Sequence, residues 1–441
     1  MKKQTVLLAI SLAMPLCTFA FPTPARPFTQ TPKTPSSDQA QNTTAEATEN
    51  CDTSHTLTGN WGGWRCRLQA EGVNITGDYT SYTMFNVSGG KSRGGAYADS
   101  WGLNFDFDLA KLLGLNNTHF YVSLVDRNGA DLSVDHVGKQ YSLKKVYGNE
   151  TLTVNNVYLK HTFGGPYDFI KIGRVNAADD FQQADIYYDF VSNAIEGNPI
   201  GVFFSITNFS AYPNAQWGAL LSAEPANHIV GKVAVYNTNN NSNETKYHGL
   251  NWSFRNDNGA LIMTEWDFIN GNDNAGLPAK YGIGAMYVTG NDQIDYNSGE
   301  NVWGDYGFYY QAYQMLYRPN GPGTKQGLSA FLAMQFFPND RNEMPFFGDA
   351  GFTYSGIIPQ RPNDFLGIAY AYGRYSPDLA KQQNAAGLPA QNFEGMPEVT
   401  YRVQCNPWLY VQPDLQYIIK PKGTGEIADA LAIGAQIGIT F

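Results

Sequence analysis

A period-two alternation of apolar and polar residues recurs in short segments along most of this chain. In the final segment, LAIGAQIGITF at 431–441, every second position is apolar and the positions between are small or polar. The apolar set is Leu431, Ile433, Ala435, Ile437, Ile439 and Phe441. Because neighbouring side chains of a β-strand point to opposite faces, the segment predicts a strand with one apolar face. A membrane-spanning strand and a strand of a soluble β-sandwich would both show this alternation.

Acids and amides indicate which face of such segments could contact lipid. In WGLNFDFDL at 101–109 and PWLYVQPDLQYII at 407–419, one face is apolar and the other carries carboxylates or amides. A face with carboxylates is costly in a hydrocarbon layer, so we expect it to point into a barrel. The predicted lumen-facing residues are Asp106, Asp108, Gln412, Asp414 and Gln416. Polar inside and apolar outside is the pattern of a transmembrane β-barrel.

The composition is consistent with such a barrel. Beyond the N-terminal segment no apolar run reaches about eighteen residues, so a membrane role would require strands rather than a helix. Aromatic residues make up 14% of the chain, charged residues 15%, and there are 45 glycines. These values fit strands with aromatic girdles, although a large secreted sandwich would look similar. The net charge of −10 argues against a nucleic-acid partner.

The N-terminal region predicts export. MKK, the apolar run TVLLAISLAMPL and a small-residue exit at Ala20 have the order of a secretory signal peptide, which we place at residues 1–20. Residues 21–56 are rich in Pro, Thr and Ser and predict a flexible periplasmic leader. The barrel is expected to span residues 57–441 and to begin with a short helix. Cys51 and Cys66 are expected to form a disulfide worth roughly 3 kcal/mol.

Turn signals divide the barrel region into strands. Short connections are predicted at 110–117, 164–167, 223–227, 318–325, 359–363 and 405–407. Longer connections are predicted at 86–98, 127–151, 175–214, 238–258, 289–303, 338–347 and 375–395. Short and long connections alternate almost strictly along the chain, which is typical of barrels with short periplasmic turns and long external loops. The strands number sixteen if residues 199–206 and 246–254 belong to loops, and eighteen if both are strands.

The longest connection, 175–214, is the predicted constriction loop, because long loops in compact folds are usually functional and one folded inward would narrow a pore. It follows Arg174 and contains many acidic and aromatic residues; the alternative is that these acids only solvate an external loop. The candidate lining residues are Arg174, Asp179, Asp180, Asp185, Tyr187 and Tyr188. Carboxylates, guanidinium groups and rings together suit neutral polyhydroxyl solutes, whose hydroxyl groups accept and donate hydrogen bonds.

Trp64 and Arg65 are further candidates for the constriction. They lie in LTGNWGGWRCRLQAEGV at 57–73, where a short helix is expected to end at Gly72. The other interpretation of this segment is an amphipathic plug or anchor helix with solvated arginines.

Several of these segments together resemble the OprB-type carbohydrate-selective porins of Gram-negative outer membranes. The matching motifs are residues 57–73, GRVNAADDF at 173–181, Asn198-Pro199, PWLYVQPDLQYI at 407–418 and the final Phe441. The resemblance covers essentially the whole chain after residue 56. It implies an all-β fold, a sixteen-stranded antiparallel transmembrane barrel, and passive diffusion of sugars such as glucose. By motif position it implies that Arg65, Arg174, Asp179 and Asp180 are charged residues near the constriction.

Other function classes are less well supported. The six histidines are scattered and no G-x-S-x-G motif accompanies them, so an enzyme is not expected. A secreted sugar-binding β-sandwich is one alternative, and solubility of the protein without detergent would support it. A porin for organic anions is another alternative, which the acidic lumen residues disfavour. We expect no cofactor or metal. The expected partners are a carbohydrate, outer-membrane lipid, and a barrel-assembly machinery that uses Phe441 as its signal; monomer or homotrimer stays open.

Overall fold

A computed structural model describes residues 51–441, apart from 140–142, 144–145, 149, 207–208, 240–242, 255–258, 272–275 and 291–292. The predicted signal peptide and most of the predicted leader therefore lie outside the described residues. Among the helices that are described, none is both long and apolar enough to cross a membrane.

Sixteen antiparallel strands form one closed barrel. In chain order they are β1 (Val73–Ser88), β2 (Gly94–Asp108), β3 (Thr118–Gly129), β4 (Thr153–Thr162), β5 (Phe169–Val175), β6 (Gln216–Ala226), β7 (Ile229–Asn237), β8 (Ala260–Asn270), β9 (Ala279–Val288), β12 (Asp305–Tyr317), β13 (Gly327–Phe336), β14 (Phe346–Ser355), β15 (Phe365–Arg374), β16 (Phe393–Asn406), β17 (Leu409–Ile418) and β18 (Ala430–Thr440). The remaining pair, β10 (Gln293–Ile294) and β11 (Asn301–Val302), forms a separate small ribbon in an external loop. The first and last strands close the barrel, with Asp78 opposite Thr440.

The predicted sixteen-stranded architecture is confirmed. The two ambiguous segments lie in connections: α3 (Gly201–Ser205) falls in the first, and a short 3-10 turn at Thr245–Tyr247 falls at the start of the second. In β18, Ile433 on the predicted apolar face is 40% exposed, whereas Ala432 and Gln436 on the other face are buried. The alternation of side chains therefore separates an outer, lipid-facing wall from a filled interior.

Short and long connections lie at opposite ends of the barrel, as predicted. The short end includes α2 (Leu109–Leu113) and the two-residue connections 227–228 and 407–408. The long end carries 130–152, 176–215, 238–259 and 375–392, the last with α4 (Pro377–Ala385). The predicted long stretch 86–98 is an exception, because β1 and β2 continue pairing to Asn86 opposite Gly94. Its glycines fit within the ladder: a Cβ at Gly95 would overlap the Phe85 ring.

The N-terminal segment is fastened to the seam between β1 and β18 at the short-turn end. The predicted helix is α1 (Trp64–Glu71), and Gly72 ends it with a φ of 100°, a conformation that favours glycine. Leu57 N donates to Thr440 O at 2.7 Å, so the segment begins beside the last strand. A disulfide joins Cys51 to Cys66 and closes this segment on itself.

Candidate functional site

The connection 176–215, called here the constriction loop, lies inside the barrel. Its backbone forms short helical turns and is also held by side chains from distant strands. Gln182 N donates to Glu265 Oε2 of β8 at 2.7 Å, and Val191 N donates to Glu398 Oε1 of β16 at 2.7 Å. On a third wall, Gln335 Nε2 of β13 donates to a loop carbonyl at 3.0 Å. Contacts to strands this far apart require the loop to cross the lumen.

A charged cluster on β7, β8 and β9 holds one side of the loop. Lys232 Nζ lies 2.7 Å from Glu265 Oε1 and 3.1 Å from Asp267 Oδ2, and Lys280 Nζ lies 3.2 Å from Asp267 Oδ2. Both carboxylates are fully buried. The two lysines also donate to the loop carbonyls of Asp180 and Gln183, each at 2.8 Å. Paired charges with additional hydrogen bonds are the form in which ions are tolerated in a protein interior.

Strands β16 and β17 hold the opposite side. Gln412 Nε2 donates to Asp189 O at 2.8 Å, and Arg402 Nη2 donates to Tyr188 O at 2.9 Å. Arg402 is oriented by Gln412 Oε1, which accepts from its Nε at 2.7 Å. The Arg402 guanidinium also lies between the rings of Phe365 and Tyr410, at 4.7 and 4.3 Å. Rings on both faces leave the edge of the guanidinium as its hydrogen-bonding surface.

Apolar packing fills the space between the loop and the wall behind it. Tyr187 and Phe190 of the loop are fully buried, and their rings each lie 5.4 Å from that of Phe331 on β13. Asn198 fixes the turn of the loop by donating to three loop carbonyls at 3.0 to 3.2 Å. The loop therefore packs as part of the core, and we expect it to be ordered in the open channel.

A second external connection, 130–152, packs against the β17 wall. Leu132, Val137 and Leu143 are completely buried in the same apolar cluster as Ile418. Gln416 Nε2 donates to Leu143 O at 3.0 Å, which fixes this connection to the lumen face of β17. Two inward-folded connections thus narrow the interior from the external side.

The space between the constriction loop and the walls of β1, β3, β4, β16 and β17, where side chains of both lie within electrostatic range of one another, is called here the eyelet. It combines acids, arginines and tyrosines: Asp78, Tyr121, Arg127, Tyr158, Asp179, Tyr188, Glu196, Tyr212, Arg402 and Tyr410. Asp78 and Glu196 lie within electrostatic range of Arg127. The Arg127 guanidinium lies 4.9 Å from the Tyr212 ring, which the constriction loop contributes. Groups of both signs therefore face one another across the gap.

Polar side chains line the β3 and β4 side of the eyelet. The rings of Tyr121 and Tyr158 stack with centroids 5.0 Å apart, and Tyr121 OH donates to Asn104 Oδ1 at 2.7 Å. Asn156 of β4 donates from Nδ2 to Asp179 Oδ2 at 2.9 Å, which fixes that carboxylate at the edge of the gap. Hydrogen-bonding groups here are preorganised by their neighbours rather than by solvent.

The predicted loop residues divide between exposed and buried positions. Asp179 and Asp185 are exposed to water, and Tyr188 is partly exposed. Asp180 forms an ion pair with Lys171 Nζ at 2.6 Å, so its carboxylate holds the loop to β5. Tyr187 is buried behind the loop. These five residues lie on the same loop, but their side chains have different surroundings: some are exposed, one is paired with β5 and one is buried.

Arg174 lies away from the lumen. Strand register puts it on the same face as Ile172, which is 56% exposed on the outside of the barrel. Its guanidinium is buried beneath the external connection 238–259. The contacts are Gly249 O, Ala215 O at 3.1 Å, Asn243 Oδ1 at 3.4 Å and the Trp252 ring at 5.4 Å. This position differs from the lumen position predicted for it, because the side-chain alternation of β5 turns Lys171, not Arg174, inward.

Trp64 and Arg65 lie at the short-turn end. Trp64 is 59% exposed, with the Arg67 guanidinium 4.8 Å from its ring. Arg65 is buried and bridges the seam: its Nη2 donates to Phe441 O at 2.6 Å and to Ile75 O at 3.2 Å. These positions favour the anchor-helix interpretation of the segment.

The predicted lumen-facing residues point inward. Asp106 Oδ1 lies 2.9 Å from His119 Nδ1, and Asp108 caps α2 by accepting from Ala110 N at 3.0 Å. Gln412, Asp414 and Gln416 are buried on the lumen face. Gln412 and Gln416 hold the two inward-folded connections, and Asp414 Oδ1 accepts from Gln416 Nε2 at 2.8 Å.

Sequence reasoning did not identify Asp78, Arg127, Tyr212, Arg402 or Tyr410. Asp78 lies on a polar strand face that the period-two pattern could have revealed in ITGDYTSY. In LVDRNG the pattern gives no direction, because Arg127 shares its face with Val125 and Gly129. Tyr212 lies near the end of the longest loop, where no periodicity applies. Nothing in the sequence indicates which strands the loop approaches, so its opposing wall could not be found in advance.

A closed barrel with an apolar outer wall, a polar interior and an inward-folded loop defines an outer-membrane porin. More specifically, residues 92–441 match the family model described as carbohydrate-selective porin, OprB family. The chain belongs to that family. Its place is therefore the outer membrane of a Gram-negative bacterium, and its family and fold are those of a channel rather than of an enzyme.

Named relatives agree with this assignment. Porin B of Pseudomonas aeruginosa is 28% identical, with 87% of this chain and 91% of the relative covered. The putative porin QuiX of Acinetobacter baylyi is 25% identical, with 87% of this chain and 93% of that relative covered. The high-pH structure of Pseudomonas putida OprB superposes with a TM-score of 0.82 at 25% identity, covering 89% of this chain and 99% of that one.

Proposed function

We propose that this porin passes glucose and other small neutral sugars by passive diffusion, and that the eyelet is its selectivity site. The observation that carries the proposal is the mixture of carboxylates and guanidinium groups facing each other at the narrowed part of the lumen. Acids accept and arginines donate hydrogen bonds, so a sugar hydroxyl finds both kinds of partner as it loses water.

The charge balance of the eyelet favours neutral solutes. Asp78, Asp179 and Glu196 supply three carboxylates, whereas Arg127 and Arg402 supply two guanidinium groups. A negative surplus in a confined, protein-lined gap raises the energy of an entering anion. A sugar acid of glucose size is therefore expected to pass more slowly than glucose.

The fixed loop supports selection by size. Its backbone is bonded to β8, β13, β16 and β17, so the gap cannot widen freely for a larger solute. Individual contacts to a sugar remain weak because each eyelet group is already bonded or water-accessible, and weak contacts permit rapid release.

Uptake into proteoliposomes tests the proposal. Radiolabelled glucose should enter faster than gluconate, which has a similar size and a negative charge. Equal rates would reject the selectivity, and no uptake of either would reject the pore. Asp179→Asn should reduce the discrimination against gluconate. The matched control is Asp340→Asn, which alters a carboxylate paired with Arg341 in an external connection and should leave the ratio unchanged.

A further inference from the structure

We propose that the external rim above β14 to β16 is a docking site for the phosphorylated glycolipid of the outer leaflet. Its polar part is a cavity of about 400 Å³ whose lining includes Arg374, Lys381, Asn384, Gln391 and Asn392. This site lies outside the pore, and it is independent of the proposed sugar selectivity.

The strand register places the site on the lipid-facing side. Ile368 and Tyr370 of β15 are 48% and 40% exposed on the outer wall, and Arg374 lies on the same face at the external end of that strand. Arg374 stands opposite Phe346 of β14 on one side and Phe393 of β16 on the other. Arg374 therefore lies at the level where the membrane-spanning wall ends.

An aromatic band lies at this rim, formed by Phe336, Phe346, Tyr372 and Phe393. Successive ring centroids are 5.3, 6.3 and 5.4 Å apart. Contiguous aromatic side chains at the end of an outer barrel wall mark the boundary between hydrocarbon and headgroups. Any lipid packed against the band would have its headgroup at the height of Arg374.

Cationic groups surround this headgroup position. Arg374 is exposed, and within the described part of the chain no hydrogen bond or ion pair holds its guanidinium. Lys381 is paired with Asp378 at 2.8 Å, yet its side chain stays 73% exposed and can turn toward a second anion. Lys420 Nζ lies 4.6 Å from the Phe393 ring, so a further cation borders the band.

The combination of features identifies the chemistry of the ligand. Guanidinium and ammonium groups bind phosphate, and the side-chain amides of Asn384 and Asn392 can bond to sugar hydroxyl groups. The adjoining aromatic band accommodates acyl chains. A ligand with phosphate, sugar and acyl chains at the outer surface of this membrane is a phosphorylated glycolipid; free phosphate would use the cations alone.

The test titrates purified, folded porin in detergent with diphosphorylated lipid A and measures bound lipid by native mass spectrometry. Arg374→Gln together with Lys381→Gln should weaken binding about 25-fold, since each cation near an anionic lipid surface is worth about 5-fold. The matched control, Arg67→Gln with Lys111→Gln, removes two cations at the short-turn end and should bind as the wild type.

Three results would overturn the proposal. These are unchanged lipid binding by the rim variant, equal binding of dephosphorylated glycolipid, and full displacement of the lipid by millimolar inorganic phosphate. Glucose uptake by the rim variant should equal that of the wild type, which also shows that the variant is folded. Failure of the glucose selectivity itself would leave the lipid result unaffected.

Discussion

Replacing Arg65 with alanine should destabilise the barrel at its seam. The guanidinium is buried and donates to oxygens on both sides of the closure: Thr56 Oγ1 at 2.7 Å, Gly59 O at 3.0 Å, Ile75 O at 3.2 Å and Phe441 O at 2.6 Å. It also lies 4.4 Å from the Trp61 ring. A single side chain thus joins the N-terminal segment, β1 and the end of β18.

The expected loss follows from these contacts. A hydrogen bond to a charged group contributes about 1.5–3 kcal/mol when it is buried. At the rim of the barrel, water can replace some of the lost donors, so we expect a net loss of about 3 kcal/mol rather than the sum over all four bonds. Arg65→Lys should retain only part of the stability that Arg65→Ala loses, because one ammonium group cannot reproduce the planar set of guanidinium donors that bond to Ile75 and Phe441.

The assay is thermal unfolding of the purified porin in detergent, followed by the shift in electrophoretic mobility when the barrel opens. The matched control is Arg67→Ala on the same helix, which removes an exposed guanidinium near Trp64. Arg65→Ala should unfold well below the control. The same unfolding temperature for both variants would refute the assignment of Arg65 to the seam.

Three further predictions concern other parts of the molecule. Cys66→Ser should lower the stability of the porin by about 3 kcal/mol, because it removes a disulfide between residues 15 positions apart. The variant should unfold at a lower temperature than the wild type under oxidising conditions and at the same temperature in reductant. Equal unfolding temperatures under oxidising conditions would contradict this prediction. Lys232→Met should cost about 3–5 kcal/mol and raise single-channel conductance, because buried carboxylates lose a partner and the loop loses an anchor; unchanged conductance would argue against anchoring. Arg174→Ala should leave conductance unchanged, since its side chain lies on the outer wall; an altered conductance would instead support the constriction role predicted from sequence.

Most of the fold was accessible from the sequence because membrane strands obey a simple rule. Alternation in segments such as 407–419 follows from one face meeting lipid and the other meeting water or protein. The position of the longest connection, between residues 175 and 214, was also predicted. The stretch 86–98 was misassigned, because glycine clusters indicate turns by composition yet here lie partly within the ladder.

The walls of the site were less predictable. A loop sequence does not reveal its partners, so the contacts from Glu265 and Glu398 to loop amides could not be derived. Motif resemblance placed Arg174 near the constriction, whereas strand register turns it outward. The direction of one side chain depends on the exact pairing of β5, and a shift of one residue would reverse it.

The central claim is that an inward-folded loop creates a narrow, polar passage for small sugars. Titrating glucose while recording single-channel current through the wild-type porin tests it most directly. The account predicts open-channel current that falls and saturates with rising glucose, as the sugar occupies the eyelet for part of the time. Steady full current at all glucose concentrations, or no channel activity at all, would contradict it.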